Sequence, residues 1–541
     1  MTAEQIDVVE SLERDLDRHF FQILMEKKLF SVDIVKELLE DYYGIVSCDV
    51  MEKQISADLI DRFSHGFVTR YVLMPLELAN GELLVAMANP FDVLAIDELE
   101  MMTNCRVKPV FADSQDIRML IYARYSSSQL ESIQSKFMNQ ESFNLNEENQ
   151  IEKENVKNAP IVQFVDSILD SAVLHDASDI HIEPYENVFR VRFRIDGLLS
   201  VQKVMRLELL PNVISRIKVI GGMNISDRRL PQDGHFRMSR DDVRVEFRVN
   251  TIPTTFGEKA EIRIIYHSKS IVDKSSLGFF EEDLKQISSL LKNPHGAILV
   301  TGPTGSGKNT TLASFISELN KEDVNITTVE DPVENTIPGV NQIQVNSKIG
   351  LGFAEILTAV LRQDPDIMMI GEIRDSETAK IAIRASLTGH LVLSTLHTND
   401  AVSSIIRLID MGIAPYAIPA SLKGVISQRL VRKICEKCKT EYAISQEDCL
   451  ALDLSMDMKA FVGTGCASCQ FTGYKGRFAV CEILTVNYKV KEMLENPNVS
   501  KLKAYFASNG MVTLRENILK NVILGNTSIA EMYKVVYGSE E

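Results

Sequence analysis

One stretch of the chain, residues 297–315, joins a short apolar run to a glycine-rich loop and then to a helical pattern. It reads AILVTGPTGSGKNTTLASF, and its loop has the spacing Gly-x4-Gly-Lys. Glycines let backbone N–H groups close around phosphate oxygens, the helix start adds the positive end of its dipole, and the lysine reaches the β- and γ-phosphates. The combination argues against a chance glycine loop and predicts a phosphate-binding site. Its residues are Gly302, Pro303, Thr304, Gly305, Ser306, Gly307 and Lys308.

The position after this lysine departs from the usual pattern. A Ser or Thr hydroxyl there would bind Mg²⁺, but this chain has Asn309. An amide oxygen can also bind a hard cation, although the amide is longer and carries a bulky NH₂ group. Thr310, a further candidate for the site, is turned by about 100° around the helix. We therefore expect nucleotide binding to survive this change better than hydrolysis.

Carboxylates recur in two later segments, TTVEDPVE (327–334) and DPDIMMIGEIRD (364–375). Ile367–Ile370 is predicted to be a buried strand, and Glu372 follows its carboxyl end. Ligands gather at the carboxyl ends of parallel strands, so Glu372 is predicted to lie beside the phosphate loop as a water-polarising base or an Mg²⁺ partner. Each acid taken alone is more simply read as a solvated turn residue. The other candidates are Glu330, Asp331 and Glu334.

Two histidines, His390 and His397, flank the apolar run in GHLVLSTLHTND. A lone histidine is usually a core or capping residue. Two histidines that bracket a predicted strand suggest a pair that senses the bound phosphate or transmits the effect when the phosphate is lost.

Four of the eight cysteines form two Cys-x2-Cys pairs, Cys435 with Cys438 and Cys466 with Cys469, and 27 residues separate the pairs. Each pair can bind one side of a tetrahedral Zn²⁺. A redox-active pair is the alternative, but two pairs in one short segment favour structural zinc. The remaining cysteines, expected to be ordinary buried residues, are Cys48, Cys105, Cys449 and Cys481.

Composition excludes several classes of protein. The 541 residues are too many for one core and predict about three or four domains. A net charge of −17 argues against a protein that coats nucleic acid. The longest apolar stretch, Ala385 to Asn399, is interrupted by polar residues, so no membrane span is expected. The first residues lack an apolar signal core, which argues against secretion, and the cysteine usage favours a reducing cytosol.

Pattern changes along the chain mark its organisation. Ile34–Tyr42 has a helical apolar stripe, and Glu82–Ala88 has a strand pattern. The polar stretch 126–158 is predicted to be a flexible linker. A helix over Pro160–His175 and alternating strands over Phe189–Gly197 and Val243–Asn250 are predicted next. From Ser276 to about residue 430, apolar runs alternate with helical stretches, which is typical of a parallel sheet with helices on both faces.

From roughly residue 30 to its end, the chain resembles the secretion ATPases of type II secretion and type IV pilus assembly, most of all the pilus-assembly (extension) motor. Many long motifs occur in one order, which makes the resemblance specific. They are ASDIHIEPYE (177–186), DRRLPQDGHFR (227–237), FGEKAEIRI (256–264), VTGPTGSGKNT (300–310), VEDPVE (329–334), LRQDPDIMMIGEIRDSETA (361–379), TGHLVLSTLHTND (388–400) and QRLVRKIC (428–435).

The resemblance implies an α/β fold in which a recA-like P-loop ATPase domain, residues 271–541, follows a smaller α/β domain, residues 159–270. It also implies an amino-terminal partner-docking module over residues 1–125, before the linker. The small tetracysteine subdomain would occupy residues 430–482, where the family carries such an insertion.

The resemblance also assigns roles to residues of the ATPase domain. Lys308 would be the phosphate-loop lysine and Glu372 the catalytic glutamate. The acidic box would be Glu330, Asp331 and Glu334, and the histidine box would be His390 and His397.

Arginines complete the implied site. Arg248 and Arg263 would be the phosphate-facing arginines of the smaller domain, and Arg362 and Arg374 would contribute from the ATPase domain. Without the resemblance, each would be read as a member of a surface ion pair of little energetic weight. The chain departs from the family at Asn309 and at Thr358, where an arginine is common.

By resemblance, the protein is a cytoplasmic hexamer that hydrolyses ATP with Mg²⁺, carries Zn²⁺, and associates peripherally with the inner membrane through partners. Those partners would be an inner-membrane platform protein and a cytoplasmic-domain docking partner, with no nucleic acid. Some members bind cyclic di-GMP through a repeated Arg-Leu-Gly motif, but residues 19–24 read HFFQIL here, in one copy, so no strong binding is expected. The alternatives are a retraction ATPase, disfavoured by the amino-terminal module and the cysteine pairs, and a nucleotide-gated scaffold that barely hydrolyses ATP.

Overall fold

The computed structural model describes residues 32–53, 55–60, 62–79, 81–114, 116–121, 124–125, 160–240, 243–267, 273–455, 458–469, 471–487, 489–494 and 498–538. The chain divides into two compact units. One comprises residues up to 235 together with 248–264, and the other comprises residues 236–247 together with 265–541. The predicted linker and the segment 19–24 lie outside the described residues.

A three-stranded sheet forms the amino-terminal part of the first unit. Its strands are β1 (Leu73–Ala79), β2 (Glu82–Met87) and β3 (Arg106–Phe111). β1 and β2 form an antiparallel hairpin, and β3 runs parallel to β2. The apolar side chains of β2 are buried or partly buried, because helices supply the rest of two neighbouring core clusters, the smaller of which contains Val35, Leu39 and Phe111. These helices are Val32–Tyr43, Ala57–Ile60, His65–Tyr71 and Val93–Thr103. The helix and strand predicted for this part are confirmed.

A six-stranded sheet follows, in the order β6-β5-β4-β9-β8-β7. Its strands are β4 (Asp179–Pro184), β5 (Val188–Ile195), β6 (Leu198–Arg206), β7 (Gln232–Arg240), β8 (Val243–Thr254) and β9 (Gly257–His267), and its helices are Pro160–Leu174 and Leu210–Ile220. β4 pairs antiparallel with β5 and β9. Strand side chains alternate between two faces, so Ile180 and Ile182 enter the core while Asp179 and Glu183 lie on a charged face.

A seven-stranded sheet, in the order β12-β11-β13-β14-β10-β15-β18, is the centre of the second unit. Its strands are β10 (Gly296–Thr301), β11 (Ile326–Glu330), β12 (Asn341–Gln344), β13 (Ile367–Ile370), β14 (Leu391–Leu396), β15 (Leu422–Ile434) and β18 (Tyr474–Thr485). All neighbours are parallel except β15 and β18.

Apolar residues fill both faces of this sheet. In β10, Leu299 belongs to one core cluster, and Ile298 and Val300 belong to another. A strand buried on both sides is therefore continuously apolar, as the sequence of β10 is. The covering helices are Glu281–Leu291, Lys308–Leu319, Phe353–Val360, Ser376–Leu387, Ala401–Asp410, Ala417–Ser421, Val490–Leu494 and Val499–Ser508. The predicted α/β architecture is confirmed.

The tetracysteine segment leaves the sheet between β15 and β18. It contains the antiparallel pair β16 (Lys439–Ala443) and β17 (Lys459–Gly463) and the helix Gln446–Ala451. A Cβ on Gly463 would overlap the backbone of Gly473, so these two segments of the backbone lie too close together there for a side chain. The helices Leu514–Ile523 and Ile529–Tyr537 pack against this segment and share its core.

Across the described ranges, no helix is both long enough and apolar enough to cross a bilayer.

Candidate functional site

The phosphate loop connects β10 to the helix Lys308–Leu319. Gly302 has φ +145°, and a Cβ there would overlap the carbonyl oxygen of Gln428, so the loop must begin with glycine. The Lys308 ammonium donates to the carbonyl oxygens of Gly302 (2.9 Å) and Pro303 (3.0 Å). Burial lowers the pKa of Lys308, while the negative charge of Glu372 acts in the opposite direction. The lysine is therefore held over the loop and close to a carboxylate.

The loop fits a phosphate ligand. The hydroxyl of Ser306 is buried and has no hydrogen-bond partner among the described residues, so its donor remains available. Pro303, Thr304 and Gly305 are exposed on the rim of the loop. The helix start supplies unpaired N–H groups and a positive dipole end. Together with the Lys308 ammonium, these donors match the oxygens of a nucleotide phosphate.

Asn309 lies in the first turn of the helix, exposed, and its amide nitrogen donates to Glu334 Oε1 at 3.0 Å. Because a carboxylate only accepts hydrogen bonds, this contact assigns the NH₂ group to Glu334 and leaves the amide oxygen on the other side. The sequence drew attention to both residues but did not predict their contact. Thr310 is exposed next to Asn309.

Glu372 lies past the carboxyl end of β13, as predicted. Its carboxylate is paired with the Arg374 guanidinium at 2.5 Å, and the second oxygen lies 3.6 Å from His397 Nε2. Hydrogen bonding to Glu372 raises the pKa of Arg374, with a further contribution from the charge of Asp331. Burial and the charge of Lys308 lower the pKa of His397. Glu372 thus lies among three groups that orient it or balance its charge.

The other acidic residues differ in their surroundings. Glu330 ends β11, where its Oε1 accepts hydrogen bonds from Thr328 Oγ1 (2.6 Å) and Gln342 Nε2 (3.0 Å). Asp331 and Glu334 are exposed in the following turn. Glu330 is therefore held rigidly, whereas Asp331 and Glu334 face solvent at the same edge of the sheet.

The two histidines lie at opposite ends of one strand. His397 follows the carboxyl end of β14, near Glu372, but His390 precedes its amino end. Six strand residues span about 20 Å. The ring of His390 instead contacts the carbonyl oxygen of Ala385 at 3.0 Å, which closes the preceding helix. The structure therefore does not bring His390 to the phosphate loop, and its expected place at the nucleotide is corrected to a helix-end contact.

The predicted arginines are distributed over both units. Arg263 Nε is 3.1 Å from Asp179 Oδ1 on the charged face of the six-stranded sheet, with the guanidinium side chain largely exposed. Arg248, on β8, is exposed between the buried Phe247 and Val249. Both belong to the first unit. In the second unit, Arg362 is exposed two residues after the helix Phe353–Val360.

Thr358, the family departure on that helix, is exposed and donates its hydroxyl to the Ala354 carbonyl oxygen at 2.8 Å.

Sequence reasoning missed Gln428. Its side-chain amide bridges the phosphate loop and the following helix, through Ser306 and Thr311. The only available signal was its place in the motif QRLVRKIC, which carried the resemblance but no assigned role.

The four predicted zinc ligands come together. The sulfurs of Cys435, Cys438, Cys466 and Cys469 all lie within 4.8 Å of one another. Three of their separations are 3.7–3.8 Å, the edge length of a sulfur tetrahedron with Zn–S bonds of about 2.3 Å.

The donor chemistry of the cluster also fits, because four cysteines are a common ligand set for structural Zn²⁺. Burial raises the pKa of Cys435, and it raises the pKa of Cys438 to about 12. Burial opposes ionisation of Cys469, but hydrogen bonds from the backbone N–H groups of Cys466 and Gly473 outweigh it and lower the pKa of this thiol to about 7. Both the geometry and the donors fit Zn²⁺.

Comparison with known proteins identifies the family. The profile of the type II/IV secretion system protein family matches residues 154–534, and that of the MshEN domain matches residues 43–130. The chain belongs to the type II/IV secretion system protein family. The resemblance to secretion ATPases that the sequence motifs indicated is thereby confirmed.

Curated relatives of this secretion ATPase carry two kinds of name. The "Type IV pilus assembly ATPase PilB" of Myxococcus xanthus is 39% identical over 519 residues, covering 92% of this chain and 90% of that protein. The "Type II secretion system protein E" of Dickeya dadantii is 42% identical over 377 residues, covering 70% and 76%. The PilB of Thermus thermophilus is 41% identical and covers 86% of this chain, but the match spans only 53% of that relative.

Among solved structures, the ATPase DotB of Legionella pneumophila aligns with a TM-score of 0.53 at 22% identity, covering 70% of this chain and 96% of that one. This likeness supports the fold. The prediction of no strong cyclic di-GMP binding rests on residues 19–24, outside the described residues, and stays a prediction. The MshEN match is a reason to test it by direct titration.

Proposed function

We propose that this secretion ATPase hydrolyses ATP to drive assembly of type IV pilin or pseudopilin fibres. The observation that carries the proposal is the convergence at one sheet edge of the phosphate loop and Glu372, whose charge acts on Lys308. Membership of the family and relatives named as pilus assembly ATPases support the direction of the work. The machine would be a cytoplasmic homohexamer that acts on an inner-membrane platform protein and is docked there by a second partner.

In this proposal Lys308, the Ser306 hydroxyl and the loop N–H groups bind the ATP phosphates. Glu372 accepts a proton from the attacking water as general base. Arg374 fixes the orientation of the Glu372 carboxylate through their 2.5 Å contact. His397 carries no charge near neutral pH because its pKa is lowered, so it leaves the charge of Glu372 intact.

The edge also offers oxygen donors that fit Mg²⁺, a hard cation. The amide oxygen of Asn309 and the exposed carboxylates of Glu334 and Asp331 are the candidates that would hold it. When bound, Mg²⁺ neutralises charge on the phosphate oxygens. Phosphate binding and proton transfer are assigned to Lys308, Ser306 and Glu372.

Arginines of the smaller domain complete the proposed chemistry. Charge builds on the γ-phosphate oxygens as the bond breaks, and a fixed guanidinium stabilises it, as an arginine finger does. Arg263 is held at its Nε by Asp179, its Nη2 lies 3.8 Å from Glu261 Oε1, and 64% of its side chain is exposed to solvent. Movement of this domain would engage or withdraw Arg263 and Arg248, which converts the nucleotide state into displacement.

Two other functions are alternatives to fibre assembly driven by ATP hydrolysis. A scaffold that binds ATP and barely hydrolyses it is favoured by Asn309, which replaces the usual hydroxyl. A retraction ATPase is disfavoured by the MshEN match and the tetracysteine cluster.

Steady-state ATP turnover of the purified full chain with Mg²⁺ tests the proposal. We expect Arg263→Ala and Arg248→Ala to keep nucleotide binding and ring assembly but to lose most turnover, by up to about 10³–10⁵ as for arginine fingers. The matched control is Arg237→Ala, an exposed arginine paired with Glu246 at 3.0 Å on the β7–β8 hairpin. If Arg237→Ala lost as much turnover as Arg263→Ala does, the loss would be a general effect of removing positive charge, and the arginine-finger role would be contradicted. Absence of turnover in the wild type, with ATP bound, would favour the scaffold.

A further inference from the structure

Gln428 occupies a special place in the sheet. Strand β15 is the parallel neighbour of β10, and Ser427 pairs with Thr301, the last residue before the phosphate loop. Gln428 therefore lies beside the point where the loop begins. Its side chain is almost fully buried, although it is polar, which requires hydrogen-bond partners.

Both ends of the Gln428 amide are used. The nitrogen donates to the carbonyl oxygen of Ser306 at 2.8 Å, and the oxygen accepts from the hydroxyl of Thr311 at 2.8 Å. Thr311 is itself fully buried in the first turns of the helix. Because the Ser306 carbonyl can only accept, the orientation of the amide is fixed. One side chain thus ties the end of the loop to the helix that follows it.

The backbone of Gln428 adds a third contact. A Cβ on Gly302 would overlap its carbonyl oxygen, so this oxygen packs directly against the first residue of the loop. The same oxygen accepts a hydrogen bond from Arg429 Nη1 at 3.1 Å, which holds it in place. The start of the loop, its end and the helix are consequently all in contact with one residue of β15.

We propose that Gln428 is a positioning residue that keeps the phosphate loop in its nucleotide-binding shape without touching the nucleotide. The inference rests on the proposed function, in which this loop binds ATP. A loop that is already in the bound shape loses less conformational freedom when the ligand binds. Without the bridge, part of the binding free energy would be spent on ordering the loop, so nucleotide affinity falls.

The decisive variant is Gln428→Glu, which keeps the shape of the side chain but replaces the donor with a second acceptor against the Ser306 carbonyl. We expect the full chain carrying it to bind ADP with Mg²⁺ about 10- to 100-fold more weakly, measured by titration with a fluorescent ADP analogue. KM for ATP should rise with it, while kcat at saturating ATP changes much less.

Two variants of Thr311 test the other hydrogen bond of the Gln428 amide. Thr311→Val removes the donor to Gln428 and should weaken ADP binding, whereas Thr311→Ser keeps the hydroxyl and should restore affinity to within about twofold. This pair preserves the test if Gln428→Glu fails to fold. If Thr311→Val and Thr311→Ser bind ADP with equal affinity, the hydroxyl does not matter, and that outcome would overturn the proposal.

The control for stability is Asn521→Asp, another buried amide of the second unit, which donates to the Asn517 carbonyl at 3.0 Å. We expect it to lower the melting temperature of the nucleotide-free chain without changing ADP affinity. If affinity instead tracks melting temperature across all variants, Gln428 is merely structural. Failure of the wild type to bind nucleotide would contradict the proposed function, whereas wild-type affinity in Gln428→Glu would contradict this inference alone.

Discussion

A residue of strand β15 bridges the phosphate loop, and the tetracysteine cluster begins directly after the same strand, but the loop and the cluster are stabilised by opposite means. The loop is closed by hydrogen bonds within the protein, from Lys308 to the loop carbonyls and from Gln428 to Ser306. The cluster has four sulfurs within 4.8 Å of one another, three of whose separations are 3.7–3.8 Å, and thiolates at such distances repel one another. The loop can therefore keep its shape without a ligand, whereas the cluster has the geometry of a metal site and would depend on a bound metal.

The largest expected effect comes from removing a zinc ligand. Cys435→Ser or Cys469→Ser should lower the zinc content from one per chain and unfold the segment 430–482, because the binding free energy of structural zinc, about 10–16 kcal/mol in zinc-finger peptides, is folding free energy. Metal analysis and thermal melting measure both effects. Cys105→Ser, in the other unit and only partly buried, is the control and should change neither. A fully folded, metal-free wild type would contradict the zinc assignment.

The corresponding change at the phosphate site should affect rate and leave the fold intact. Glu372→Gln removes the proposed general base, so turnover should fall by about 10²–10⁴ while nucleotide affinity and melting temperature stay close to the wild type. The control is Glu377→Gln, exposed in the first turn of the next helix. If Glu372→Gln lowered stability as much as the cysteine variants do, the contrast between the two sites would fail.

A smaller effect is expected at Asn309. Asn309→Thr supplies the usual hydroxyl and should raise turnover, by about a few-fold, with nucleotide affinity within a few-fold of the wild type. The variant also removes the contact with Glu334, which the wild type makes at 3.0 Å. Equal or lower turnover would mean that the Asn309–Glu334 pair has adapted the site to the amide.

The smallest expected effect is a pH dependence at His397. Its pKa is lowered, first by burial and then by the charge of Lys308, so the folded state favours the neutral ring. The unfolded chain then binds more protons below the ordinary histidine pKa of about 6.5, and stability falls as the pH drops through that value. His397→Gln should lose less melting temperature between pH 7.5 and 5.5 than the wild type does. His295→Gln, an exposed control in the same unit, should behave as the wild type, and an equal response of both variants would contradict this assignment.

Features that depend on neighbouring residues were predictable from the sequence. The strand, loop and helix around Lys308 are contiguous, and each Cys-x2-Cys pair is local, so their patterns give both the structure and the chemistry. The position of Glu372 followed from one further rule, that parallel strands end at a common edge.

Features that depend on the order of strands in the sheet were not predictable. Gln428 reaches Ser306 across 122 positions only because β15 lies next to β10. Glu334 meets Asn309 through a turn whose path no local pattern gives. The two histidines look equivalent in sequence, yet the direction of β14 separates them by the length of the strand.

The position of β15 next to β10 has a consequence for the order in which the protein is made. Gln428 follows Ser306 by 122 residues. At a synthesis rate of about 5–20 residues per second, Gln428 emerges roughly 6–24 s after the loop, so the hydrogen bond between them forms only then. During most of that interval β10 lacks both of its neighbours, because β14 ends only at Leu396 and β15 begins at Leu422. If Gln428 positions the loop as proposed, the nascent chain acquires a tight nucleotide site only after β15 has joined the sheet, and ATP would not assist the earlier folding steps.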